Sequence, residues 1–185
     1  MRPQKVDHQH LMEGLMSVLR TKGFEGASLM DLSEATGLKK ASLYHRFPGG
    51  KKEITEAVLD YVKAWNQVNI LEVLIDKKLS PKKRLELAIA NINVLYDNGK
   101  STCILKAMTT EVSLPLFGAQ IEESFQLWID GFSTVGTDLG FNKKKAQELA
   151  QEVIIRVQGA LILSKGMNDT SPFQESLAHI EKMYQ

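Results

Sequence analysis

The chain has 185 residues, 43% of them hydrophobic and 24% charged, with a formal net charge of +1. These values describe a globular protein and exclude a disordered or collagen-like chain, and the length allows one domain of ordinary size or two small ones sharing a core. Cys103 is the single cysteine, which excludes an intrachain disulfide framework and fits a reducing cytoplasm. The polar N-terminus, and apolar runs far shorter than the roughly 18 residues that span a bilayer, argue against a signal peptide or membrane anchor.

Charge divides by position. Residues 1–52 hold nine Lys and Arg against five Asp and Glu, and residues 53–185 hold fourteen against seventeen, giving +4 and −3. A basic head of this kind can meet a polyanion with one end of the molecule.

Helical periodicity runs through the sequence, with no sustained alternation of the strand type. Leu11, Leu15, Val18 and Leu19 form one stripe that Gly23 ends. Ser28 and Asp31 have the spacing of a capping box, opening a short helix with Leu29 and Leu32 inward that stops at Gly37. A third helix runs from Lys39 to Phe47, before Pro48-Gly49-Gly50. From Lys51, the residues Ile54, Val58, Tyr61, Val62, Trp65, Val68 and Ile75 mark one long helix joining head to body without a flexible linker. Ser80-Pro81 is an N-cap followed by proline at the first helical position. The helix it opens points Leu85, Ala88, Ile92 and Leu95 inward and ends near Asn98-Gly99.

A shorter helix is expected over about Thr102 to Val112, and Pro115 interrupts. Ile121, Phe125, Trp128, Phe132, Val135 and Leu139 then line a helix that closes at Gly140. Asn142 caps an eighth helix, Lys143 to Lys165, whose apolar residues cover more than one face. Such a helix is central in its own domain or packs on a second subunit. Ser171-Pro172 opens a ninth with Phe173, Leu177, Ile180 and Met183. The expected fold is all-α with nine helices: a three-helix head over residues 1–52 and a helical body over residues 53–185.

The two short helices joined by Thr36-Gly37-Leu38 have the size and turn of a helix-turn-helix unit. At 100° per residue, Leu43 and Phe47 of its second helix share the inward face, and Ala41 and His45 point away from the core. Lys40 and Tyr44 occupy one shoulder, Ser42 and Arg46 the other. A helix in a DNA major groove uses this distribution: a small residue for close approach, donors for base edges, hydroxyls and cations for phosphates. Two alternatives stand beside it, that Tyr44 and Phe47 are core aromatics and that Lys39 and Lys40 are a solvated surface pair.

Residues Ser28 to Ile54, SLMDLSEATGLKKASLYHRFPGGKKEI, resemble the helix-turn-helix of the TetR family of bacterial transcriptional regulators. The shared features are a capped helix, an Ala-x-Gly turn, a Leu-Tyr pair with a later Phe, then Lys-Glu and an aliphatic residue. The Pro-Gly-Gly-Lys ending, Cys103-Ile104-Leu105 and Glu111 are similar to the branch that includes LmrA and YxaF. The resemblance implies a repressor that binds double-stranded DNA at a palindromic operator. It places Lys40, Ala41, Tyr44 and His45 against bases or the adjoining backbone, and Ser28, Ser42, Tyr44 and Lys51 against phosphate. Lys39 stands where many members have Ser or Thr, weakening the cap while adding a cation.

Trp65, Tyr96, Cys103, Met108, Phe117, Phe125, Trp128 and Phe132 form an aromatic and sulfur-rich set suited either to an apolar cavity or to ordinary core packing. The resemblance implies a site for a small hydrophobic effector involving Trp65, Tyr96, Cys103, Met108, Glu111, Phe125 and Trp128. Glu111 is either a buried acid that needs a partner or a solvated one. A twofold dimer sets two recognition helices about 34–36 Å apart. The last two helices, with Val157, Gly159, Ala160, Leu161, Leu177 and Ile180, are its expected interface. An effector wedged beside the long fourth helix would tilt the heads of this homodimer.

Two other functions stand beside this one. In one the body docks a protein instead of a small molecule. In the other the chain is a helical enzyme using Cys103 or Glu111, but its four histidines lack partners at metal-ligand spacing, and no phosphate loop, nucleophile elbow or HExxH motif occurs. Catalytic residues, metals and cofactors are therefore not expected.

Overall fold

The computed structural model describes residues 7–185, and the regular structure among them is helical. Its elements are α1 (His8–Gly26), α2 (Leu29–Thr36), α3 (Lys40–Arg46), α4, α5 (Pro81–Leu95), α6 (Ile104–Ala107), α7 (Leu114–Asp138), α8 (Lys143–Met167) and α9 (Ser171–Met183). Helix α4 starts as Lys51–Asn66, passes through a π-helical turn at Gln67–Leu71 and continues as Glu72–Ile75. Counted this way the described residues form nine helices, plus a single 3₁₀ turn at Asp97–Gly99.

The chain forms two compact units: one runs up to Val62 and takes in Ile104–Ile121, the other comprises Lys63–Cys103 and Glu122–Gln185. A single cut at residue 52 misses this exchange of segments. Long-range contacts draw 104–121 into the first unit. The Phe24 and Phe117 rings meet edge to face at 5.2 Å, the Thr110 hydroxyl donates to Glu25 at 2.6 Å, and Gln120 Nε2 donates to Asp60 at 2.7 Å. Linear composition cannot reveal contacts between residues so far apart in sequence.

In the first unit Leu11, Met12, Leu15 and Leu19 of α1 pack with Leu32, Leu43, Ile54 and Val58 as buried core. Helical geometry breaks at Gly23 (φ 69°, ψ −179°), a conformation an L side chain resists, before three further residues complete α1. The second unit buries Phe132, Val135, Val153, Val157, Phe173 and Ile180, and with them the guanidinium of Arg84.

The helix expected from Thr102 to Val112 is confined to Ile104–Ala107. Side-chain hydroxyls end it by competing for backbone partners. Thr109 donates to the Lys106 carbonyl at 2.8 Å, Ser113 donates to the Met108 carbonyl at 2.9 Å, and Thr110 Oγ1 accepts from the Ser113 N–H at 3.2 Å. Pro115 sits in the first turn of α7 instead of interrupting a helix, a position where its missing N–H costs nothing.

Candidate nucleic-acid interface

Local chemistry fixes the α2–α3 pair. Ser28 and Asp31 cap α2 reciprocally: the Ser28 hydroxyl accepts from the Asp31 N–H, and the Asp31 carboxylate accepts from the Ser28 N–H at 2.9 Å. Gly37 closes α2 in the left-handed region at φ 66°, which permits the sharp turn. The buried Thr36 hydroxyl donates to the Leu32 carbonyl at 2.7 Å, and Ser33 donates to the Leu38 carbonyl across the turn. Lys39 is the N-cap of α3 and makes no side-chain capping bond.

Leu43 anchors α3 completely, at 0% exposure. Lys39, Lys40, Ala41, Tyr44 and His45 are exposed, and Ser42 and Phe47 are half-buried. Tyr44 keeps 50% of its surface open, so its ring is not a core aromatic. With the exposed Arg46, α3 and its cap therefore present three cations, a small residue, a phenol and an imidazole.

Lys51 is placed differently from a freely projecting surface lysine. Its ammonium donates to the Ala27 carbonyl at 2.9 Å and to the Glu25 carbonyl at 3.4 Å, and lies 4.7 Å from the centre of the Phe24 ring. It thus joins the start of α4 to the end of α1, a role with no local sequence signal. Lys22 also escaped the sequence reading: it pairs with Asp31 at 2.5 Å. That bond, followed by the N–H and hydroxyl of Ser28, brings the Asp31 carboxyl down to about 2 from an ordinary 3.8.

A depressed carboxyl pKa contributes stability above the unfolded value and loses it as pH falls through the folded value. The stability of the head should therefore decline between about pH 4 and pH 2. Asp31→Asn should be less stable than wild type at pH 7 and should have a flatter profile over that acid range, measured by urea unfolding followed by circular dichroism. Parallel profiles for the two proteins would contradict this assignment.

The effector candidates fall in different units. Trp65, Tyr96, Cys103, Phe125 and Trp128 belong to the second and Met108 and Glu111 to the first. Tyr96, Cys103, Met108 and Trp128 are buried, Trp65 and Phe125 are half-buried. Trp128 donates its indole N–H to the buried Asn66 side chain at 3.2 Å, and Tyr96 meets Phe173 edge to face at 5.9 Å. Glu111 is exposed, the solvated alternative.

Of the expected interface residues, Val157, Leu161, Leu177 and Ile180 are buried within the protomer, where α8 and α9 pack on their own unit. A residue already covered cannot line an outer face, so these four hold the protomer's core. Ala160 retains 7% exposure, and Gly159 is exposed. The apolar surface of α8 consists instead of Ile155, Ile162, Leu163 and Met167, each more than half exposed. Periodicity showed that α8 has two apolar faces but could not assign which one turns inward. A groove of about 450 Å³ runs between α8 and α9, lined by residues including Ile155, Gly159, Ala160, Leu163, Pro172 and His179.

Among the described residues no group of His, Cys, Asp and Glu could hold a metal ion, and no helix is long and apolar enough to cross a membrane.

A capped helix, a left-handed glycine turn and an exposed cationic second helix define a DNA-binding transcriptional regulator of the helix-turn-helix type. Residues 11–58 match the bacterial regulatory proteins of the tetR family, and residues 92–179 match the LmrA/YxaF-like transcriptional regulator C-terminal domain. The chain belongs to the TetR family, in its LmrA/YxaF-like branch. It is 24% identical to the HTH-type transcriptional regulator YxaF of Bacillus subtilis, over 84% of this chain and 83% of that protein. It is 20% identical to the transcriptional regulator LmrA of the same organism, over 89% of each. The fold matches the crystal structure of a TetR transcriptional regulator from Legionella pneumophila with a TM-score of 0.85 at 18% identity, over 98% of this chain and 100% of that one. As a regulator of this family the chain is not an enzyme.

Proposed function

We propose that the protein is a cytoplasmic repressor that binds a palindromic operator as a homodimer and leaves it when a small hydrophobic effector binds the body. The exposed face of α3 carries this reading. In it Lys40, Ala41, Tyr44 and His45 meet bases or the adjoining backbone, and Ser28, Lys39, Ser42 and Lys51 face phosphates. Residues 1–52 supply the DNA contacts, and residues 53–185 supply the effector site and the dimer face.

The dimer face is the outer side of α8 and α9. Ile155, Gly159, Ile162, Leu163 and Met167 form its apolar stripe. Gly159 leaves open space where a Cβ would stand, which lets a second helix approach closely. For the effector, the buried aromatic and sulfur-bearing side chains Trp65, Tyr96, Cys103, Phe125 and Trp128 are the supporting residues. Because α4 contributes residues to both compact units, an effector that prefers one geometry of α4 lowers DNA affinity by the ratio of its affinities for the two states. A coupling of about 1–3 kcal/mol corresponds to a 5- to 150-fold change.

The test uses a duplex recovered from a random-sequence library by the full-length protein. Tyr44→Ala and Lys40→Ala should each weaken binding to it by about 1–3 kcal/mol, read by fluorescence anisotropy. If both bind as tightly as wild type, α3 is not the reading helix.

A further inference from the structure

Helix α1 does not run straight into α2. Beyond the break at Gly23, Phe24, Glu25 and Gly26 form a short stub that leads to Ser28, the cap of α2. Two separate parts of the first unit grip this stub. On one side the Lys51 ammonium donates to the Glu25 and Ala27 carbonyls and lies against the Phe24 ring. On the other, the wholly buried Phe117 meets Phe24 at 5.2 Å, and the Thr110 hydroxyl donates to the Glu25 carboxylate at 2.6 Å.

Thr110 is itself pinned. Its oxygen lies 2.6 Å from the hydroxyl of Ser113 and accepts from the Ser113 N–H at 3.2 Å. Ser113 is fully buried and reaches the Met108 carbonyl at 2.9 Å. An ionised carboxylate only accepts hydrogen bonds, so the Thr110 hydroxyl donates to Glu25 while its oxygen accepts from the Ser113 N–H. The Ser113 N–H on the Thr110 oxygen orients its hydroxyl toward Glu25.

We propose that Thr110, acting through Glu25, is a positioning residue for DNA binding: it fixes the α1 stub, and with it the Lys51 ammonium and the Ser28 cap from which α2 and α3 start. This inference rests on the DNA-binding reading of the head. It makes the segment 104–121, which carries no DNA contact of its own, a determinant of operator affinity.

The experiment measures the full-length protein on the selected duplex by anisotropy, with the melting temperature of each variant recorded alongside. Thr110→Val keeps the shape and removes the hydroxyl, and with it the bonds to Glu25 and from the Ser113 N–H, and should lower affinity roughly two- to tenfold, more than its small fall in melting temperature accounts for. Thr110→Ser should restore wild-type affinity. Glu25→Ala should reproduce the loss, and the double variant Thr110→Val with Glu25→Ala should lose no more than either alone. The inference is overturned if Thr110→Val binds like wild type, if Thr110→Ser is as weak as Thr110→Val, if the two losses multiply, or if affinity falls only in step with melting temperature. A wild-type protein that selects no duplex overturns the DNA-binding reading itself and the inference with it.

Discussion

Replacing Arg84 by alanine should cost about 2–5 kcal/mol of stability, from the cavity left by a buried side chain and the loss of a buried hydrogen bond. Arg84 is 2% exposed in the first turn of α5. One Nη donates to the Leu74 carbonyl at 2.7 Å, near the end of α4, where carbonyls have no helical partner. The other donates to Asp138 at 2.7 Å, the last residue of α7, which Lys77 also pairs. Those two bonds hold the Asp138 carboxyl below its usual range, Lys77 contributing more than Arg84. Truncation leaves the Leu74 carbonyl unsatisfied and opens a cavity. Arg84→Met restores most of the volume but neither bond, so it should recover only part of the loss. Urea unfolding midpoints at constant m-value measure both, and an alanine variant within about 0.5 kcal/mol of wild type would show that the network contributes little.

Gly14→Val should disable the head through geometry. A Cβ at Gly14 would stand 2.7 Å from the carbonyl oxygen of Ala35 and 3.2 Å from its carbon. Both are backbone atoms of α2, so no side-chain rotation relieves the clash and α2 must move off α1. Overpacking of this kind costs about 1–3 kcal/mol. The helix-propensity gain over glycine is smaller than about 1 kcal/mol and offsets only part of it. The larger effect is functional: displacing α2 carries α3 with it, and duplex affinity should fall at least tenfold, about 1.4 kcal/mol, under conditions where the variant is still folded. Folded Gly14→Val protein with unchanged affinity would show that the α1–α2 approach does not set the position of α3.

Gly14 also shows where a sequence stops being informative. In the middle of a helix a glycine is an unexplained weakness until the backbone it meets is known, and Ala35 lies on another element. Signals whose partners are local were readable: the Ser28–Asp31 box, the turn at Gly37, Ser80 before Pro81 and Asn142 before α8 all act within a few residues. The inward direction of Leu43 was readable for the same reason, since helical period alone puts it opposite Ala41 and His45. What depended on distant partners was not. Lys51 is basic and near the recognition helix, yet its partners at Glu25 and Ala27 are set by the fold. Period marks the face of Val157, Leu161, Leu177 and Ile180 as apolar and does not reveal what covers it, which is the protomer's own core. The shortness of α6 followed from hydroxyls at Thr109, Thr110 and Ser113, a β-branched and hydroxyl-rich run whose helix-ending effect local composition could have suggested.

The most direct measurement of the central claim is the affinity of the full-length protein for its selected duplex as a function of salt concentration. Each phosphate neutralised by a cation releases counterions on binding. Lys39 and Lys51 from each of two protomers would neutralise four phosphates, so the logarithm of the association constant should fall against the logarithm of salt with a slope of about −4. An affinity that stays constant between about 50 and 200 mM salt, or no binding to any selected duplex, would contradict the account.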